Sequence, residues 1–257
     1  MKRKRAPPPT TTKQPNTTTH NTQPPPVRRK KRKRLLETQT RSRFGFFSTP
    51  EPRYDEIMPL QPLTTVFVGV NPSETSWKTG FPYASPSNRF WKLMQAGGMW
   101  DSGRPTSRKD VEEGAVVRGM GFTDVALTYP TSTASKVPKQ AMDPESDHPI
   151  YGPGLFLRLQ NHVETVAAAH GCSLESACPA RIAFVGVTHF RNLASPPLKG
   201  KIGFGKTILR PPQWPDVLAP AEVWILPSPS GRAVMSTKDR TAPYVSLGVS
   251  SGEGQER

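Results

Sequence analysis

The stretch TTVFVGVNPSETSWKTGFPYASPSNRFW, residues 64–91, decides how the rest of the chain is read. Its opening apolar run, residues 66–70, has the length and β-branched content of a strand buried on both faces, as in a parallel sheet. Gly69 and Pro72 punctuate the backbone and leave Asn71 at the strand's carboxyl end, where open α/β sheets place their ligands. A polar loop with Tyr83 in its middle is expected next. Ser87 or Asn88 then serves as N-cap for a helix whose Phe90, Trp91, Leu93 and Met94 fall at helical spacing. The unit is strand, loop, helix. An amide at the strand tip and an aromatic ring in the loop suit a pocket for a flat, polar ring. Taken alone, Asn71 before Pro72 is also an ordinary turn residue. Phe90 and Trp91 read as core.

Outward from this unit, strands alternate with helices. Residues 107–118 form a helix with Ser107 and Asp110 placed as a capping box. Residues 122–127 read as a short strand or extended segment, and residues 155–170 carry Leu155, Leu159, Val163 and Val166 on one helical stripe. Residues 181–187 and 223–226 read as further strands, with Pro196, Pro197, Pro211 and Pro212 marking loops. The alternation gives an α/β fold, a three-layer α/β/α sandwich with a mainly parallel central sheet. Pro243 lies inside the last candidate helix, where a proline costs about 3 kcal/mol, so that helix is expected to be short. Residues 246–257, rich in Gly and Ser, are expected to be a flexible tail.

Charge is spread unevenly. The chain of 257 residues has a formal net charge of +15, and residues 1–60 hold 15 Lys and Arg against 4 Asp and Glu. That segment contains Pro7, Pro8 and Pro9, a Thr-rich run, Pro24, Pro25 and Pro26, and basic clusters at residues 2–5 and 28–34. It cannot bury enough apolar surface to offset its chain entropy and reads as a disordered tail, with a catalytic domain at residues 61–245. Clustered cations displace counterions from phosphates, so a nuclear-import signal and a non-specific DNA arm are the functional readings, a solvated tail the bland one. No apolar run is long enough to span a membrane, and the amino terminus lacks a secretory h-region. Two cysteines, Cys172 and Cys178, are too few for a disulfide framework or a four-thiolate cluster. His162 and His170 nearby do not complete a zinc pattern, so neither metal nor cofactor is expected.

Residues 64–91 closely resemble motif 1 of the mismatch-specific uracil/thymine DNA glycosylases, a branch of the uracil-DNA glycosylase superfamily. The positions that carry the resemblance are Gly69, Asn71 and Pro72, then Thr79, Gly80, Phe81, Pro82, Tyr83, Ala84 and Pro86, then Asn88, Arg89, Phe90 and Trp91. Residues 129–136 resemble the loop that follows the family's second strand. The stretch LPSPSGRA, residues 226–233, would in isolation be a Pro/Ser/Gly surface loop; beside motif 1 it resembles the family's second motif. The resemblance is to a fungal-like member with a basic amino-terminal tail, and it covers roughly residues 63–240.

The resemblance implies a repair enzyme that hydrolyses the bond between sugar and base where uracil or thymine is mispaired with guanine, leaving an abasic site. Asn71 is matched to the residue that positions the attacking water. Tyr83 would stack on the flipped pyrimidine, and Val70, Ser73 and Ser76 would line its pocket. Ser228, Ser230 and Gly231 fall where flanking phosphates are held, and Arg232 where a side chain fills the gap left by the base. Lys136 and Lys139 could suggest lyase chemistry, but solvated loop lysines are commoner, so a monofunctional enzyme is expected. Its implied partners are double-stranded DNA with G·U or G·T mismatches and a downstream abasic-site endonuclease; a monomer in the nucleus is expected. Two departures stand out: Ser73 replaces the family's usual Gly, and the final helix is interrupted by Pro243. Both leave room for an alternative, a catalytically impaired DNA-binding or interaction protein on the same fold.

Overall fold

The computed structural model describes residues 54–194, 197–231 and 234–252. In chain order the elements are β1 (Thr65–Gly69), α1 (Glu74–Thr79), α2 (Phe90–Ala96), α3 (Arg108–Arg118), β2 (Met120–Asp124), β3 (Asp147–His148) and β4 (Gly152–Pro153). There follow α4 (Leu155–His170), α5 (Leu174–Ala177), β5 (Arg181–Val185), α6 (Val187–Asn192), β6 (Gly205–Thr207), β7 (Glu222–Leu226) and α7 (Thr237–Gly252). The main sheet has the order β2-β1-β5-β7-β6, and its first four strands are all parallel. Strand β6 joins β7 antiparallel at the far edge. This edge strand was not legible in the sequence because Gly-Lys-Thr has neither apolar alternation nor β-branched bulk.

Two apolar cores, one on each face, explain why the strands read as continuous hydrophobic runs. Val66, Val68, Ile182, Phe184, Val223 and Ile225 face a core completed by Leu155, Leu159, Val163 and Val166 of α4. The alternate residues Phe67, Phe122, Ala183, Val185, Trp224 and Leu226 face the other, with Phe90, Trp91 and Met94 of α2, Val111 of α3 and Tyr244 of α7. With side chains alternating across each strand, both faces are covered by helices and the sandwich has three layers. Phe90 and Trp91 are fully buried, as their apolar spacing predicts.

Three expectations are corrected. The loop after β1 contains the helix α1, whose N-cap is Ser73: its hydroxyl accepts from the Ser76 amide at 3.0 Å. The segment Glu-Thr-Ser-Trp-Lys-Thr has no apolar stripe, so only the cap betrays it. The ordered unit starts before residue 61: Tyr54 and Ile57 are buried, and Ile57 exchanges backbone hydrogen bonds of 2.9 and 2.8 Å with Phe122, covering the free edge of β2. Residues 1–53, including both basic clusters, lie outside the described residues. The last helix is long, α7 running 16 residues through Pro243. Arg240, Tyr244 and Leu247 lie at i, i+4 and i+7 and are all buried. Burying Tyr244 and Leu247 contributes about 1.5–3 kcal/mol each, which offsets the proline's cost of about 3 kcal/mol. Close approach to α2 adds to the grip: a Cβ on Gly248 would sit 1.7 Å from the carbonyl oxygen of Gly97. The expectation of a flexible tail from residue 246 therefore fails as far as Gly252.

Candidate active site

The carboxyl ends of β1, β2, β5 and β7 converge on a cleft of about 390 Å³. Its walls bring together Val70, Asn71, Ser73, Ser76, Tyr83, Ser228 and Ser230, singled out at distant points of the sequence. Gly231 is exposed beside it without lining it, and Arg232 lies outside the described residues.

Asn71 is fixed by its amide nitrogen, which donates to the carbonyls of Pro72 at 2.9 Å, Tyr129 at 3.3 Å and Thr131 at 2.8 Å. Three carbonyl acceptors around one end of a side-chain amide identify that end as the nitrogen. The amide oxygen has no donor among the described residues and is the acceptor Asn71 offers to the cleft. The same loop is laced to the β1 tip through its backbone: Val125, Ala126 and Thr131 donate to the carbonyls of Gly69, Val70 and Pro72 at 3.0, 2.8 and 3.0 Å.

Tyr83 is the one described non-glycine residue at positive φ, +55°. That left-handed turn lays its ring on Phe90, centroids 3.8 Å apart and planes 17° from parallel. One face is thus backed by the core and the ring borders the cleft. Its hydroxyl is buried without a partner among the described residues. The N-cap of α2 is Arg89, without a side-chain cap bond, and not Ser87 or Asn88 as expected; Asn88 instead holds the turn before it, Oδ1 accepting from the Phe90 amide at 2.9 Å.

Ser73 and Ser76 are less free than expected. Their hydroxyls bond each other at 3.0 Å, and Ser76 Oγ also accepts from the Ala84 amide at 3.4 Å. They hold the wall in shape, and Ser73 is engaged in capping α1. The second site stretch is held from two sides. The Tyr244 hydroxyl donates to the Pro227 carbonyl at 3.0 Å, and the Arg89 amide donates to the Pro229 carbonyl at 2.9 Å. Within it, the Ser230 amide donates to Ser228 Oγ at 3.4 Å.

Residues that the sequence does not announce are Tyr54, which precedes β1, and Asp124, the last residue of β2; both line the cleft. The Tyr54 hydroxyl donates to Asp124 Oδ2 at 2.9 Å. Burial pushes the Asp124 carboxyl up to about 6; the Tyr54 hydrogen bond and the Arg158 charge oppose this, and Glu56 adds to it. Burial, then the Asp124 charge, likewise raises the Tyr54 and Tyr83 hydroxyls well above their ordinary value. The available signal for Asp124 is an acidic residue closing an apolar run at a carboxyl end beside β1. His189 is buried and paired with the Val68 carbonyl at 3.2 Å; burial pushes its imidazole down to about 4, so it is neutral and lines no part of the cleft. Lys136 and Lys139 are exposed and also stand outside it.

A cleft at the strand ends with a pinned amide and a backed aromatic ring accepts a flat heterocycle edge-on and face-on. The family model described as the uracil DNA glycosylase superfamily matches residues 59–247. The chain belongs to the uracil DNA glycosylase superfamily. For a superfamily member the chemistry is that of a DNA glycosylase of base-excision repair, a hydrolase that breaks the bond between base and sugar. The match starts after Tyr54 and ends at Leu247, so it takes in β1, the second site stretch and most of α7.

Proposed function

We propose that this glycosylase is monofunctional and removes uracil or thymine mispaired with guanine from double-stranded DNA, leaving an abasic site. The observation that carries the reading is Asn71 at the β1 tip, its nitrogen held by three carbonyls and its oxygen left as an acceptor, beside a Tyr83 ring backed by Phe90. A base cannot be reached inside the duplex and must be flipped out. Tyr83 then stacks on the pyrimidine. The C1′–N1 bond breaks with its electron pair leaving on the base, and water oriented by the Asn71 oxygen adds to C1′. An amide cannot accept the water's proton as a carboxylate does, so the reaction is slow and favours bases that leave well or pair poorly.

Ser228, Ser230 and Gly231 hold the phosphates beside the flipped nucleotide through hydroxyls and backbone amides. Arg232 fills the gap and reads the orphaned guanine, for which a planar guanidinium is suited. The basic segment before the domain adds sequence-independent affinity and directs the protein, a fungal-like type with a basic tail, to the nucleus. It acts as a monomer, and an abasic-site endonuclease takes the product. The grounds for an inactive DNA-binding protein are Ser73 and a short final helix; Ser73 is a helix cap and α7 is 16 residues long. The test is incubation with duplexes bearing a single G·U, G·T or A·U pair, then alkaline cleavage of abasic sites. Strand breaks at G·U, fewer at G·T and fewest at A·U are expected; breaks at none of the three would refute the reading.

A further inference from the structure

The cleft has an unusual charge inventory for a site that must release an anionic base. Among the described residues lining it there is no Lys, Arg or His, and Asp124 supplies the one carboxyl. Asp124 as a residue is 5% exposed. Oδ2 accepts from Tyr54 at 2.9 Å. Oδ1 has no donor among the described residues and lies over Gly69, 2.0 Å from where a Cβ on that residue would stand. The Tyr83 hydroxyl, buried and unpartnered, is 3.2 Å from the same point.

The titratable and charged groups that act on Asp124 come from three places in the fold. Tyr54 and Glu56 come from the segment before β1, Tyr83 from the loop before α2, and Arg158 from α4. Arg158, the one cation among them, does not bond the carboxyl. Its guanidinium is occupied by Glu56, the Thr123 hydroxyl and the carbonyls of Pro153, Asp124 and Val125. One neutral hydroxyl is thus the only direct support for a buried carboxylate, which favours the protonated acid.

We infer that Asp124 is a further catalytic residue and works as the neutral acid: its O–H on the Oδ1 side hydrogen-bonds a carbonyl oxygen of the departing pyrimidine, and its ionised form suppresses excision. This rests on the glycosylase reading. As the C1′–N1 bond breaks, negative charge spreads onto the base oxygens, and a donor preorganised at the strand tip stabilises it. The proton stays on Asp124; the departed base takes one from solvent, and the water that adds to C1′ gives one up. A carboxylate at the same place sets one negative charge against another. The opposite role, a base that activates water, would require the ionised form.

The experiment is single-turnover excision of uracil from a G·U duplex at saturating protein, from pH 5 to 9. The wild-type rate constant should be level below about pH 6 and fall about tenfold per pH unit above pH 7, as one proton is lost. Asp124→Asn is neutral at every pH and keeps a donor, so its rate should be flat and exceed wild type at pH 8. Tyr54→Phe removes the hydrogen bond that favours the ionised form, so its alkaline fall should begin at higher pH and its rate at pH 8 should rise. Thermal melts give a readout that does not depend on catalysis. A carboxyl raised from 3.8 to about 6 in the fold stabilises it below about pH 4 and loses that contribution as pH rises through 6. The wild type should therefore melt progressively below Asp124→Asn across that window. A wild-type rate that is flat or rises from pH 6 to 8, or an Asn variant that keeps the fall, overturns the proposal alone. No excision by any variant at any pH overturns the glycosylase reading and the proposal with it.

Discussion

Replacing Asn71 by Asp tests whether the orientation of its amide, rather than the presence of a polar group, makes the site. A carboxylate is the stronger base, and from chemistry alone the substitution should accelerate the attack of water. The structure predicts the reverse. The amide nitrogen donates to Pro72, Tyr129 and Thr131 at 2.9, 3.3 and 2.8 Å, and Asp would put an oxygen against the same three carbonyls. At about 1 kcal/mol for each well-made neutral bond, removing the hydrogen bonds to Pro72 and Thr131 costs about 2 kcal/mol, the whole effect for Asn71→Ala. Asp adds an acceptor facing acceptors, about 1–3 kcal/mol more, for about 3–5 kcal/mol in all. With about 2–4 °C per kcal/mol for a domain of this size, Ala should lower Tm by about 4–8 °C and Asp by about 6–20 °C. Differential scanning fluorimetry at pH 7.5 should therefore rank the proteins wild type, Ala, Asp. Single-turnover excision from G·U duplex should be abolished in Ala, with duplex binding within a few-fold of wild type. Asp should stay below wild type because the loop over the cleft loses its anchor. An Asp variant that melts with the wild type and excises faster would show that the amide is not held as described.

Deleting residues 1–40 should weaken non-specific DNA binding and flatten its salt dependence by about 0.9 in log–log slope for each phosphate no longer neutralised, leaving the saturated single-turnover rate unchanged; an unaltered slope would mean the segment does not touch DNA. Gly248→Ala puts a methyl 1.7 Å from the Gly97 carbonyl oxygen, so α7 must back away from α2 at a cost of about 1–3 kcal/mol, read as a lower urea midpoint; an unchanged midpoint would refute the close approach. Arg232→Ala should lose little on G·U and more on bases that pair or stack well, with weaker preference for G over A opposite the lesion. Arg232→Leu should regain rate but not that preference, and parity of both variants with wild type on G·T and A·U would make Arg232 an ordinary loop arginine.

What is legible in the sequence is whatever is written locally. The capping box at Ser107 and Asp110 forms as read, with hydrogen bonds of 3.2 and 3.1 Å, because both partners lie within one turn. The parallel strands are legible because helices cover both sheet faces and so demand unbroken apolar runs. Helix α7 defies its sequence because Pro243 is a local signal, whereas the burial that outweighs it comes from α2 and the sheet. The site follows the same division. Asn71 and Tyr83 sit in a contiguous motif. Tyr54 reaches Asp124 across 70 positions, and nothing near either residue announces the meeting. Even at Asn71 the sequence indicates an amide but not which end is tethered, since Tyr129 and Thr131 arrive from the far side of β2.

The cleft is latched from both ends of the folded unit. Tyr54 secures one wall through Asp124, and Tyr244 secures the other through the Pro227 carbonyl. The sheet between them could be complete while either latch is missing. A ribosome that has delivered all four parallel strands has still not delivered Tyr244, which holds the stretch carrying Ser228 and Ser230. In this architecture the second wall of the cleft is fixed only after the last strand of the sheet has been made. Base-removing activity therefore reports that α7 has docked as well as that the sheet has formed.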